Sequence, residues 1–133
     1  LYLSNGAVFN NMAGATFTDS RNPTQEVSGS ISDNGGAGGF HNQGTFVKSG
    51  SSDLDVSVPF SNTGTVSVQS GRMNVSDGSN SGTMTINAST ILAVLGVFVN
   101  QVSGLINGNG DLDISGGNFT NNGTIAPSVN IVN

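Results

Sequence analysis

Two carboxylate pairs, Asp53 with Asp55 and Asp111 with Asp113, are the residues of this chain best placed by type and spacing to do chemistry. Two positions apart on a β-strand, both members of a pair point to one face, roughly 7 Å apart. Carboxylates at such separations can divide acid and base roles in glycoside hydrolysis. A simpler role accounts for them equally well. Outward strand positions call for polar side chains, and a charge there keeps a sheet soluble. No basic cluster stands beside either pair to clamp a substrate; Arg72 alone lies one or two repeats away.

Other reactive types are sparse. The run Asn107-Gly108-Asn109-Gly110-Asp111-Leu112-Asp113 has the flavour of a glycine-rich calcium repeat, but its register is off by one and it occurs once. Asp77-Gly78-Ser79-Asn80-Ser81-Gly82 begins like a calcium loop, yet its twelfth position is Ala88 rather than Glu. Turn chemistry explains both, so no cofactor is expected. His41 is the only His and there is no Cys, which leaves no basis for a zinc site or a catalytic triad. His41 follows Phe40 and is expected to point outward. Lys48 falls at a position equivalent to inward Val68; a strand-end placement with the ammonium reaching solvent is expected. Four glycosylation sequons, at Asn74, Asn87, Asn118 and Asn122, are what chance supplies in so Asn-, Ser- and Thr-rich a chain. The pairs Thr16/Thr18 and Thr83/Thr85 do not recur on every turn, so no regular threonine array of the ice-binding kind is expected.

Composition narrows the class. The 133 residues carry a net charge of −5 from only eight acids and three bases. Without a basic patch, nucleic acid and anionic membrane surfaces are excluded as partners. The most apolar run, Ile91 to Val99, is too short to span a bilayer as a helix and reads as buried strand around Gly96. No membrane insertion is expected, and no signal peptide is visible from Leu1 onward. Half of the chain is Gly, Ser, Asn and Thr, yet hydrophobic residues reach 35% and are regularly spaced, which argues against disorder.

The elements that position these residues follow from a repeat. Phe-x-Asn occurs at Phe9/Asn11, Phe40/Asn42, Phe60/Asn62, Phe98/Asn100 and Phe119/Asn121, and a degenerate copy at Gly78 carries Asn80. A corner glycine then precedes a threonine at Gly44, Gly64, Gly82 and Gly123. Alternating stretches such as Thr65-Val66-Ser67-Val68 and Asp111-Leu112-Asp113-Ile114 have the period of half-buried strands, and no helical stripe is present. Phe40 to Phe60 spans 20 residues and Phe98 to Phe119 spans 21, whereas Phe9 to Phe40 spans 31 and holds either two short units or one unit with a loop. Like residues recurring at this interval can stack on one another: Phe in a core column, Asn in an amide ladder. The expected fold is all-β, a right-handed parallel β-solenoid of about seven turns. It is one domain over residues 1–133, with residues 38–127 the clearest repeats and 1–37 less regular. Gly35 to Gly39 is expected to be a loop or a boundary between two arrays.

The stretches Gly39-Phe40-His41-Asn42-Gln43-Gly44-Thr45-Phe46 and Val58-Pro59-Phe60-Ser61-Asn62-Thr63-Gly64-Thr65, with Asn122-Gly123-Thr124-Ile125-Ala126-Pro127, resemble the β-helical repeats of bacterial autotransporter passengers and filamentous-haemagglutinin-like adhesins. The resemblance covers roughly residues 39 to 127. It implies export to the cell surface or extracellular space, a rod-like shape, and adhesion or scaffolding rather than catalysis. The partners then expected are flanking solenoid turns or further copies of the chain end to end, as in a self-assembling filament subunit, and host or surface glycans. The competing reading is a carbohydrate-binding or carbohydrate-cleaving β-helix of the polysaccharide-lyase or tailspike kind. With no Trp and one Tyr, the chain is poorly supplied with sugar-stacking rings.

Overall fold

Alternating strands that are too short to form a sandwich core alone must stack, and here they stack coil upon coil. The computed structural model describes residues 1–22, 24, 29–36 and 38–133. Nineteen strands and no helix are present among them. The first coil consists of β1 (Tyr2–Leu3), β2 (Val8–Asn11) and β3 (Thr16–Asp19), and the second of β4 (Gly29–Asp33), β5 (Gly39–Asn42) and β6 (Thr45–Lys48). The third holds β7 (Leu54–Val56), β8 (Phe60–Asn62) and β9 (Thr65–Val68), and the fourth β10 (Arg72–Val75), β11 (Gly78–Asn80) and β12 (Thr83–Ile86). The fifth holds β13 (Ile91–Val94), β14 (Val97–Asn100) and β15 (Leu105–Gly108), the sixth β16 (Asp111–Asp113), β17 (Asn118–Asn121) and β18 (Thr124–Ile125), and β19 (Asn130–Val132) begins a seventh. Every third strand pairs in parallel, giving three sheets of seven, six and six strands. The chain is therefore a three-sided parallel β-solenoid of about 20 residues per coil.

The coil count differs from expectation, and two alternatives left open are decided. The coils number six plus one strand rather than seven. The long interval before Phe40 is one coil, because Phe9 pairs directly with Phe40 and Phe17 with Phe46; the extra residues are spread over the links on both sides of β4 and the turn from β2 to β3. Nor is the glycine-rich run a boundary. Gly35 and Gly36 lie in the link from β4 to β5, Gly39 opens β5, and all three sheets continue across it. Ala37 of that run lies outside the described residues.

Register stacks like on like. In the first sheet Leu54, Met73, Leu92 and Leu112 form one inward column, and Ile31, Val56, Val75 and Val94 a second. In the second sheet the Phe column runs Phe9, Phe40, Phe60, Gly78, Phe98, Phe119. Phe9 stacks on Phe40 at 4.9 Å between ring centroids, and Phe98 on Phe119 at 6.3 Å. Where Gly78 interrupts this column, a side chain has no room. Its φ is +147°, and a Cβ would stand 2.0 Å from the Phe60 carbonyl oxygen. The same coil carries both buried methionines, Met73 and Met84, whose long flexible side chains suit the volume a ring would have filled. On the outside of the third sheet, Thr16, Thr45, Thr65, Thr83 and Thr124 form a single rank broken only by Leu105. Threonine thus recurs more regularly than the paired motif suggested. The neighbouring rank is mixed: Thr18, Val47, Ser67, Thr85 and Asn107.

At the corner between the second and third sheets the asparagines form a continuous ladder. Asn11 Nδ2 donates to Asn42 Oδ1 at 2.7 Å, Asn42 to Asn62 at 2.8 Å and Asn62 to Asn80 at 2.7 Å. Asn80 then donates to Asn100, and Asn100 to Asn121, each at 2.8 Å. A primary amide carries donor and acceptor on one small plane, so identical amides can satisfy each other along a column indefinitely. Asn42, Asn62, Asn80 and Asn100 are wholly buried. The same Nδ2 groups also reach carbonyls of the next coil, at Thr45, Thr65, Thr83, Leu105 and Thr124. The turn that follows demands close backbone approach. A Cβ on Gly64 or Gly82 would fall 2.2 or 2.1 Å from the carbonyl oxygen of the corner glycine one coil before. In the fifth coil the turn is two residues longer and Gly104, which the Phe-x-Asn pattern does not flag, takes this place, accepting from Asn100 Nδ2 at 3.2 Å.

Candidate functional site

The acidic pairs lie on the outer face of the first sheet, on β16 and at β7, three strand steps apart. That separation is roughly 14 Å. The register places Asp55, Asn74, Ala93 and Asp113 in one outward column, with Arg72, Ile91, Asp111 and Asn130 in the next; Asp53 extends that second column below Arg72. The two pairs therefore do not converge on one site. A hydrogen-bonded brace joins them instead. Asn74 Nδ2 donates to Asp55 Oδ1 at 2.6 Å, Arg72 Nε to Asn74 Oδ1 at 2.7 Å, and Arg72 Nη2 to Asp113 Oδ2 at 2.7 Å. Arg72 thus crosses a whole coil. Ala93, outward by register and between Asn74 and Asp113, is fully buried, as expected of a small residue beneath that guanidinium.

This arrangement limits the chemistry. Hydrogen bonds from the Ser115 hydroxyl (2.5 Å) and backbone N–H (3.0 Å), reinforced by Arg72, hold the Asp113 carboxyl down at about 2, well below its ordinary 3.8. Such a group stays ionised at neutral pH and makes a poor proton donor. Asp111 Oδ1 accepts from Asn130 Nδ2 at 2.9 Å. Because the folded Asp113 binds its proton less readily than the unfolded one, its contribution to stability is present above about pH 4 and is lost as pH falls toward 2. Acid titration of the thermal midpoint is expected to show a smaller loss between those values in Asp113→Asn than in the parent chain.

The remaining sequence candidates sit apart. Asp77 Oδ1 accepts from the Val97 N–H of the next coil at 2.7 Å, tying the two coils together. Asn107 and Asn109 flank Gly108, whose φ is +110°. His41 is exposed on β5. Among the described residues no three His, Asp or Glu side chains gather to hold a metal ion.

Lys48 corrects the expectation of a solvent-reaching side chain. It lies in the interior, wholly buried, in the inward column between Asp19 and Val68. Its Nζ donates to the Gly50 carbonyl and, at 3.1 Å, to that of Ser70, and stands 3.9 Å from Asp19 Oδ2. Asp19 is itself buried, and its Oδ1 accepts from Arg21 Nε at 2.6 Å. Burial pulls the Lys48 pKa down, opposed by the charges of Asp19 and Asp53 and assisted by Arg21. This buried ion pair was missed because Asp19 lies in the irregular first coil, 29 residues before Lys48. The shared Thr-Phe-x-charged pattern of residues 16–19 and 45–48 is the signal that could have paired them.

Compared with protein-family models, curated proteins and solved structures, the chain matches none.

Proposed function

We propose that the chain is a structural rod module of an extracellular or surface protein of bacterial type, acting through rigidity and a repeated polar face rather than through catalysis. The observation that carries this reading is the unbroken asparagine ladder through six coils. Like-on-like stacking of that kind resists shear between coils and leaves the outer face free for display. The resemblance of residues 39–127 to adhesin repeats supports the surface placement. The carbohydrate-cleaving alternative draws no support from an acid pair tied into a brace, one member of which is held ionised. Acidic and neutral polysaccharides incubated with the chain are expected to release no new reducing or unsaturated ends. Product release that disappears in Asp111→Asn or Asp113→Asn would overturn the rod reading in favour of a depolymerase.

A further inference from the structure

The third face of the solenoid differs from the other two in what it repeats. An outward column of the first sheet sets Asp55, Asn74, Ala93 and Asp113 above one another. One of the second runs His41, Ser61, Ser79, Val99 and Thr120. Both have diverged, as outer positions that need only polarity allow. The third sheet keeps threonine in five of six coils, with Leu105 the one exception.

The backbone holds this rank in step. From Thr45 onward, the N–H of each member donates to the coil before, at Ala15, Gly44, Gly64, Gly82 and Gly104, and the distance is 2.9 Å every time. Its carbonyl accepts from the asparagine ladder, at 2.9 Å for Thr45 and Thr65 and at 3.3 or 3.4 Å in the later coils. Threonine is stiff about χ1, so a clamped backbone fixes its methyl and hydroxyl together. The outcome is a row of identical groups about 4.8 Å apart. The second rank lies two residues along each strand, about 6.6 Å away. It is small and uncharged: Thr18, Val47, Ser67, Thr85 and Asn107. Among the described residues, no charged side chain points outward from this sheet.

Such a surface orders water in two ways. Methyls restrict the orientation of first-shell water, and hydroxyls at a constant interval anchor it by hydrogen bonds. A charge would hold a hydration shell of its own against that order. The strand spacing of about 4.8 Å is also close to the repeat of water along the a axis of hexagonal ice. We infer that the third face binds the surface of ice, through water ordered over the threonine rank. The inference rests on the rod reading, because only stacked coils bring the threonines into line.

The parent chain is expected to hold the freezing point of a single ice crystal below its melting point in a nanolitre osmometer. It is also expected to enter slowly grown ice. Thr65→Lys, at an exposed position within the rank, should keep the circular dichroism spectrum and lose both properties. Ser61→Lys, in the same coil but on the second face, should keep both. Leu105→Thr closes the gap in the rank and should widen the hysteresis. A folded parent chain without hysteresis overturns the inference and leaves the rod intact. Equal activity in Thr65→Lys, or equal loss in both lysine variants, overturns it as well. Binding to microcrystalline chitin or cellulose without hysteresis overturns it in favour of an ordered polysaccharide. A parent chain that lacks a β-sheet spectrum would instead sink the rod reading itself.

Discussion

Replacing Asn62 by alanine is expected to lower the unfolding free energy by about 3 kcal/mol, from two lost amide bonds, an orphaned neighbour and a small void. Asn62 accepts from Asn42 at 2.8 Å and donates to Asn80 at 2.7 Å, and it is completely buried. Its removal strands Asn80 Oδ1 in the core. Asn62→Asp is the sharper variant because it keeps the shape. At that site Asp loses the donor that Asn80 requires, sets oxygen against oxygen and buries a charge. Its cost is expected to exceed that of alanine at pH 7 and to shrink in acid, as the carboxyl takes up a proton and regains a donor. Urea denaturation at two pH values checks both statements. Equal stability of all three chains would mean that the ladder contributes little.

Lys48 carries the second large effect. Lys48→Met is expected to destabilise by about 3 kcal/mol, since breaking a buried pair leaves a carboxylate without one of its two cations. Combining it with Asp19→Leu should restore most of the loss, because an apolar pair suits a column that continues with Val68 and Ile86. Arg21, about one-third exposed, can then remain solvated. The pH dependence has a definite sign. Folded Lys48 releases its proton more readily than unfolded lysine, so the unfolded chain binds more protons just below pH 10.5 and stability rises there as pH increases. Lys48→Met lacks that rise. A thermodynamic cycle over the two single variants and the double, measured by denaturant midpoint, separates the pair from its surroundings.

The Asp19–Lys48 pair differs in kind from the other columns. Phe on Phe, Asn on Asn and Val on Val let any coil accept any other, which invites slippage and exchange. An acid beneath a base accepts only one order, and it stands between the first coil, the least regular, and the second.

What could be read from the residues follows the same division. The Phe and Asn columns were legible because each places one residue type at one point of every coil, and the interval between copies equals the length of a coil. The first coil was opaque because extra residues on both sides of β4 stretched its interval to 31, so that one unit could pass for two. Lys48 was placed outside because an ammonium among valines is ordinarily costly. Only the stacked partner, 29 residues earlier, reverses that expectation. The brace through Arg72 was hidden for a similar reason: its partner Asp113 is two coils away, and a side chain's reach across the pitch is invisible until the register is known. Asp53, Asp55, Asp111 and Asp113 were correctly grouped by face, but their spacing along the axis depends on counting coils.

The asparagine ladder couples each coil to the next. Exchange of side-chain amide protons, followed by heteronuclear NMR in D₂O, reads it residue by residue. The Nδ2 protons of Asn42, Asn62, Asn80 and Asn100 are expected to exchange at least about a hundredfold more slowly than those of exposed Asn109 and Asn122, because they are released only when coils separate. Uniformly fast exchange across all of these asparagines would contradict the stacked solenoid.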